Sequence, residues 1–242
     1  MSLDVELQRA YYARTAPDYD SSHVFSDVEH DIAFHILAGW LPRIGVNSIL
    51  DVGAGTGRAQ RLAKSLGIAA TITGIEPVSA LRRIGHENGL GEDELTDGDA
   101  TELSFAEDSF DLAMEFAVLH HIRDNAKAVQ EMCRVARKGV FISDTNNFGH
   151  GSLPARLVKN SLRVLGLWRA FDLIRTRGRG FHQSDGDGIF YSYSVLDSVP
   201  LLRAKFPHIY LFSTEPVGSS MLRLSAPHIA VLALKERAGS LS

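Results

Sequence analysis

The stretch Ser48 to Leu66, SILDVGAGTGRAQRLAKSL, constrains the fold more than any other part of the chain. A short apolar run ends in three alternating glycines, and Ala59, Leu62, Ala63 and Leu66 then recur at helical spacing. The order is strand, tight turn, helix. Gly53, Gly55 and Gly57 permit backbone angles closed to other residues and let a ligand approach the main chain with no side chain in the way. The spacing is G-x-G-x-G, whereas a dinucleotide-binding turn reads G-x-G-x-x-G and aims a helix amino terminus at a pyrophosphate. Asp51 precedes the turn, and a carboxylate there suits a cationic ligand better than a phosphate.

A second strand is expected over Thr71 to Ile75, where β-branched residues stop at Glu76-Pro77, and SALRRIGHEN then reads as a helix. Glu76 stands at the end of that strand, placed to accept hydrogen bonds from both ribose hydroxyls and to exclude a 2′-phosphate. Leu95 to Ala100 and Phe110 to Phe116 read as the third and fourth strands. Asn125 to Arg137 has Ala128, Val129, Met132 and Val135 on one helical face, and Gly139 separates it from a strand over Val140 to Asp144. Strands alternating with helices of this length imply right-handed crossovers and a doubly wound, mostly parallel α/β sheet covered on both faces.

After Asp144 the alternation breaks, and residues 146–193 read as a cap inserted into a single domain spanning 1–242. A helix over Ser194 to Phe206, a strand from His208, a connection containing Gly218-Ser219-Ser220 and a last strand from His228 complete the pattern. With no helix between them, the final two strands should be antiparallel.

With 45% hydrophobic and 22% charged residues, the composition is that of a soluble chain with a packed core. The net charge of −4 gives no general attraction to nucleic acid. Cys133, the single cysteine, excludes an intrachain disulfide and sits in a half-apolar helical stretch as a small core residue. No secretory signal and no transmembrane run is visible, so the expected location is cytoplasmic.

Four separated segments together resemble the seven-stranded S-adenosylmethionine-dependent methyltransferases of the Rossmann-like, small-molecule type. ILDVGAGTGR resembles the glycine motif, GIEP the acidic ribose position, GDATELSFAEDSFDLAMEFAVLHHI the adenine and fourth-strand block, and EMCRVARKGVFISD the fifth-strand block. The resemblance implies a seven-stranded sheet with an antiparallel last strand and S-adenosylmethionine as cofactor. It implies that Asp99 accepts from the adenine amino group, that the Ala100 amide meets the ring, and that Glu76 holds the ribose. Gly53, Ala54 and Gly55 would line the methionine moiety, with Gly57 also at the cofactor and Asp51 favouring the amino end. Glu115 and Phe116 would pass beside the cofactor, and Tyr11, Tyr12 and Tyr19 of YYARTAPDYD would fold over it. Where the family commonly has Lys-Pro-Gly-Gly, this chain has Arg137-Lys138-Gly139-Val140.

Transfer of a methyl group from sulfonium to a small-molecule acceptor needs alignment and exclusion of water but no metal. If the acceptor is a hydroxyl, histidine is the side chain suited to take its proton near neutrality. His120 and His121 follow the fourth strand at the ligand-binding edge, and His150 and His182 bracket the cap as rival bases. The loop FHQSDGDGIFYSYS concentrates polar and aromatic groups suited to acceptor recognition, and its spacing fails as a calcium loop. Pro154 to Arg179 carries seven basic residues against Asp172 alone, with Leu157, Val164, Trp168 and Phe171 at helical spacing. The simplest reading packs the apolar side of this helix on the domain and leaves its arginines in water. Closure over an anionic acceptor, or contact with a lipid surface or lipid-linked substrate, is the alternative. Two other functions fit parts of this pattern. An NAD-dependent oxidoreductase is disfavoured by the early third glycine and the Asp99 block, and a non-catalytic cofactor-binding protein would bind the nucleoside without turnover.

Overall fold

The computed structural model describes residues 3–24, 27–217 and 221–237. Its main sheet comprises β1 (Ser48–Val52), β2 (Thr71–Ile75), β3 (Leu95–Thr96), β4 (Phe110–Phe116), β5 (Ala136–Thr145), β8 (His208–Ser213) and β9 (His228–Leu234), while β6 (His182–Ser184) and β7 (Gly188–Phe190) form a separate hairpin. The seven-stranded order is β3-β2-β1-β4-β5-β9-β8. β1 to β5 run parallel, and β9 is antiparallel to both neighbours. The order reverses between β1 and β4, which opens a crevice beyond their carboxyl ends.

Side chains alternate between two cores. Leu50, Val52, Ala113, Val140 and Ile142 join Ala128, Val129 and Met132 of α5 (Asn125–Val135) on one face. Ile49, Leu112, Met114 and Phe141 meet Phe34 and Leu37 of α2 (Val28–Ile44) and Ala59 and Ala63 of α3 (Arg58–Ser65) on the other. This period of two fixes which strand-tip residues can see a ligand on a given face. Cys133 lies in the first core, where burial pushes its thiol up to about 11.

Four boundaries differ from the sequence reading. The third strand stops at Thr96, because Asp97 pairs with Arg82 at 2.6 Å and Asp99 folds back on the Thr101 amide at 2.9 Å, replacing the ladder with a side-chain turn. The fifth strand begins at Ala136 directly after α5, so Gly139 lies inside the strand and not in a connection. A Cβ at Gly139 would stand 2.6 Å from the Ala233 carbonyl oxygen, so its bare backbone lets β9 pack close. Arg137 and Lys138, in place of the usual proline turn, clasp the buried Asp111 at 2.8 and 3.0 Å. The expected helix from Ser194 divides into a single turn and α8 (Val199–Lys205), where Pro200 enters the first helical turn. One helical turn, Leu222–Ser225, precedes β9, and Gly218, Ser219 and Ser220 lie outside the described residues.

The segment 146–193 holds a short turn, α6 (Leu153–Val164), α7 (Trp168–Arg175) and the β6–β7 hairpin. The expected single basic helix is broken at Gly166, whose φ of 72° ends α6 in a left-handed turn. No helix among the described residues is long and apolar enough to cross a membrane. Gly139→Ala should lower stability by about 2 kcal/mol through overpacking against β9, read as a reduced urea midpoint with an unchanged slope.

Candidate active site

The turn after β1 adopts the backbone its glycines were expected to supply, with φ of 75° at Gly53, 57° at Gly55 and 82° at Gly57. Gly53 and Ala54 donate their amides to the Ile75 carbonyl, both at 2.9 Å, tying the first turn to the end of β2. A Cβ on Gly53 would strike Val118 at 2.5 Å, and one on Gly55 would meet the Tyr19 hydroxyl at 2.9 Å. The turn is therefore pressed between the tip of β4 and a segment arriving from the amino terminus.

Glu76 is buried beside it. One carboxylate oxygen accepts the Gly55 amide at 3.1 Å and the other the Val78 amide at 2.8 Å. Burial nevertheless pushes Glu76 up to about 7, the amides offsetting only part of the desolvation. Asp51 is likewise raised to about 7 by burial, against the lowering influence of Arg58. Two carboxyls poised to ionise thus face one crevice, which favours a ligand carrying positive charge and hydrogen-bond donors.

The crevice encloses a cavity of about 410 Å³, within the range of small-ligand sites. Asp51, Gly53, Ala54, Glu76, Asp99, Ala100 and Phe116 line it, with Tyr12 and Tyr19 as its roof. The roof is α1 (Leu3–Thr15) and the turns after it, fixed by Arg61 to Asp20 at 3.2 Å and by Arg9 to Asp99 at 3.2 Å. Asp99 is held low: burial would raise it, but the amide and hydroxyl of Thr101 outweigh that. Gly55 and Gly57 shape the turn without lining the cavity.

Two further residues expected at the cofactor stand elsewhere. Tyr11 donates to the Asp185 carbonyl at 3.0 Å, because successive helical residues face different directions and Tyr12 already takes the cavity side. Glu115 is buried on the face opposite Phe116, accepting the Val118 amide at 2.8 Å, and is pushed well up by burial and by Asp144.

A second cavity of about 510 Å³ adjoins the first. His120, His150, His182 and Arg175 line it, together with His23, His30 and His228, which the sequence reading did not single out. His23, Asp27, His30, Ala117 and Asp187 border both spaces. Ala117 takes a left-handed φ of 58°, the kind of backbone strain that collects at functional sites.

The wall between the cavities carries the densest chemistry. His120 Nδ1 meets Asp144 Oδ1 at 2.7 Å, and its Nε2 lies 3.5 Å from Asp187. Burial would lower His120, but Asp144 and then Asp187 raise it to about 10, so it is a fixed imidazolium. His121 Nδ1 lies 2.6 Å from the Ile189 carbonyl oxygen and 3.0 Å from the Gln8 amide nitrogen, and its Nε2 lies 2.9 Å from the Tyr12 hydroxyl and 3.2 Å from Asp187. Burial and the neighbouring His120 charge hold His121 below the ordinary imidazole range. Asp187 comes from the hairpin, which Gln8 of α1 grips through the Asp187 carbonyl at 3.3 Å and the Ile189 amide. His150 binds the Thr145 hydroxyl at 2.9 Å, and His182 pairs with Asp172 at 3.1 Å and stacks on Phe190, so neither converges on the wall.

The chain is similar to known methyltransferases. A profile described as a methyltransferase domain matches residues 50–143. An uncharacterised methyltransferase of Bacillus subtilis, YrrT, is 33% identical over 118 residues, 46% of this chain and 53% of that protein. The phosphatidylethanolamine N-methyltransferase of Cereibacter sphaeroides is 29% identical over 167 residues, 67% of this chain and 77% of that protein. The match thus spans about half of the first relative's length and about three quarters of the second's. A solved S-adenosylmethionine-dependent methyltransferase of Thermotoga maritima shares the fold, with a TM-score of 0.60 at 17% identity over 94% of this chain and 99% of that one.

A bound cation favours the ionised forms of Asp51 and Glu76, so binding should release protons where these groups titrate, near pH 7. Affinity for the sulfonium nucleoside should rise several-fold from about pH 6 to about pH 8. Calorimetry in buffers of different ionisation heat reads this directly, and a flat profile without proton release would contradict it.

Proposed function

We infer that this chain, which belongs to the seven-stranded S-adenosylmethionine-dependent methyltransferases, methylates a hydroxyl group of a small molecule held in the second cavity. The observation that carries this reading is the pair of adjoining cavities, with Asp187 bordering both, His121 on the first and His120 on the second, the three side chains in mutual contact. S-adenosylmethionine, when bound, supplies a methyl group on positively charged sulfur. The residues that fit it are on the first cavity's wall: Glu76 for the ribose hydroxyls, Asp99 and the Ala100 amide for the adenine, Asp51 for the amino end, and Tyr12, Tyr19 and Phe116 for apolar cover. Its dimensions and its two buried, readily ionised carboxyls match such a ligand.

His121 is the group we assign as general base. The Ile189 carbonyl fixes its tautomer, and its low proton affinity keeps it neutral at physiological pH. The Tyr12 hydroxyl marks where an acceptor hydroxyl would donate to Nε2. Asp187, 3.2 Å away, then stabilises the imidazolium that forms. His120, already protonated and locked to Asp144, holds Asp187 ionised and is a positioning residue. Arg175 and the histidines around the second cavity suit an acceptor that also carries an anionic or oxygen-rich group.

Methylation of a lipid amine is the second reading, favoured by the relative whose name states action on phosphatidylethanolamine. An amine that arrives neutral needs no base, so the two readings separate on His121.

With a hydroxyl acceptor, His121→Ala should lower kcat by roughly 10²-fold or more while leaving S-adenosylhomocysteine affinity unchanged. The acid limb of kcat/KM should fall below the ordinary imidazole value of about 6.5, because the base must be neutral and its pKa is depressed. A limb near 10 would assign the proton to His120 instead. The nitrogen atoms of the two histidines and an Asp187 oxygen lie within 4.8 Å of one another, so turnover is measured with and without chelator. Loss in chelator and recovery with a divalent ion would give the trio to a metal.

A further inference from the structure

Helix α6 is amphipathic in the opposite sense to a surface helix. Its basic side chains point inward: Arg156 donates to the Leu224 carbonyl at 2.9 Å, Lys159 to the Asn147 carbonyl, and Arg163 to Asp197 while lying over the Phe148 ring at 4.7 Å. Its apolar side chains point into solvent, with Val164 87% exposed and Leu153 57% exposed. α7 continues the pattern. Trp168, Asp172 and Thr176 are buried, whereas Leu173 and Ile174 stand out, Ile174 at 79% exposure. More than half of the large exposed apolar side chains among the described residues fall between Leu153 and Ile174. A soluble surface does not gather such side chains on two adjacent helices without a partner for them.

We propose that this two-helix face lays itself on an anionic lipid bilayer. The charge around the patch selects that occupant. Arg169, Arg175, Arg177 and Arg179 are exposed at its margin, and Asp172, the single acid from Leu153 to Arg179, is buried against His182 and Ser192. Apolar side chains projecting outward between flanking arginines form the arrangement of a helix pair lying in a membrane interface, the arginines reaching headgroup phosphates. A second copy of the chain fits less well, since a two-fold pairing through this face would set these cations against one another. Arg175 also lines the second cavity, so the mouth of that cavity opens beside the proposed lipid contact. The inference stands on the surface alone and does not depend on which acceptor is methylated.

The test is flotation with vesicles of phosphatidylcholine containing about 30% phosphatidylglycerol, against phosphatidylcholine alone. The full chain should float with the anionic vesicles only, and less as salt is raised. Val164→Asp combined with Ile174→Asp should cut the bound fraction roughly tenfold, because both side chains are exposed and apolar. Arg169→Glu with Arg177→Glu should weaken binding several-fold and flatten its salt dependence. Both double variants should keep the parent melting temperature and S-adenosylhomocysteine affinity, which separates a failure here from a failure of the methyltransferase site. Absence of flotation, or flotation indifferent to the Val164 and Ile174 changes, overturns the proposal. So does a concentration-dependent dimer in sedimentation equilibrium that the same changes disperse, which would give the face to a second copy.

Discussion

One buried carboxylate holds the two strand-end turns of the site in register. Glu76 receives the Gly55 amide on one oxygen and the Val78 amide on the other, so the glycine turn after β1 and the helix entrance after β2 share a single acceptor. Removing it would strand two buried N–H groups, a cost above that of an ordinary lost hydrogen bond. Keeping it places a buried carboxyl at the floor of the crevice, with Asp51 beside it and both groups raised to about 7. The arrangement is unfavourable by itself, and under the proposed reading a cationic nucleoside with donor hydroxyls would relieve it.

The amino-terminal helix connects that crevice to the second cavity. Its Arg9 reaches Asp99, Tyr12 covers the cofactor space, and Gln8 grips the hairpin that carries Asp187. The roof of the first cavity and the hairpin bordering the second are therefore tied through one helix. Burial and charge shift the two adjacent histidines in opposite directions: Asp144 and Asp187 raise His120 to about 10, and burial beside His120 lowers His121. Under the proposed reading, two neighbouring imidazoles with opposed pKa shifts would supply both a stabilising charge and a base.

What could be read from the chain was what is local. The limits of β1, β2 and β4 follow from apolar runs bounded by glycine, Glu-Pro and an acidic turn, and the tight turn expected of Gly53, Gly55 and Gly57 is present, with all three at positive φ. Gly139 was misassigned because a glycine after a helix looks the same whether it ends an element or makes room for a neighbouring strand, and only β9 decides. Glu115 and Phe116 could have been told apart, since alternation along β4 already puts them on opposite faces. Tyr11 and Tyr12 are likewise separated by helical geometry. The Asp144 and Asp187 partners of His120 are contacts over long stretches of chain that no local pattern signals, although Asp144 ends a parallel strand where ligands gather. The reversed polarity of α6 was invisible for the same reason: its spacing shows two faces, and only the carbonyls of Asn147 and Leu224 reveal which one turns inward.

A crystal structure of the chain with S-adenosylhomocysteine measures the central claim most directly. Ribose hydroxyls should lie on Glu76, the adenine beside Asp99 and Ala100, and the sulfur should point toward the wall formed by Ala117, His121 and Asp187. Density for the nucleoside outside the crevice between β1, β2 and β4, or with Glu76 facing away from the ribose, would contradict it.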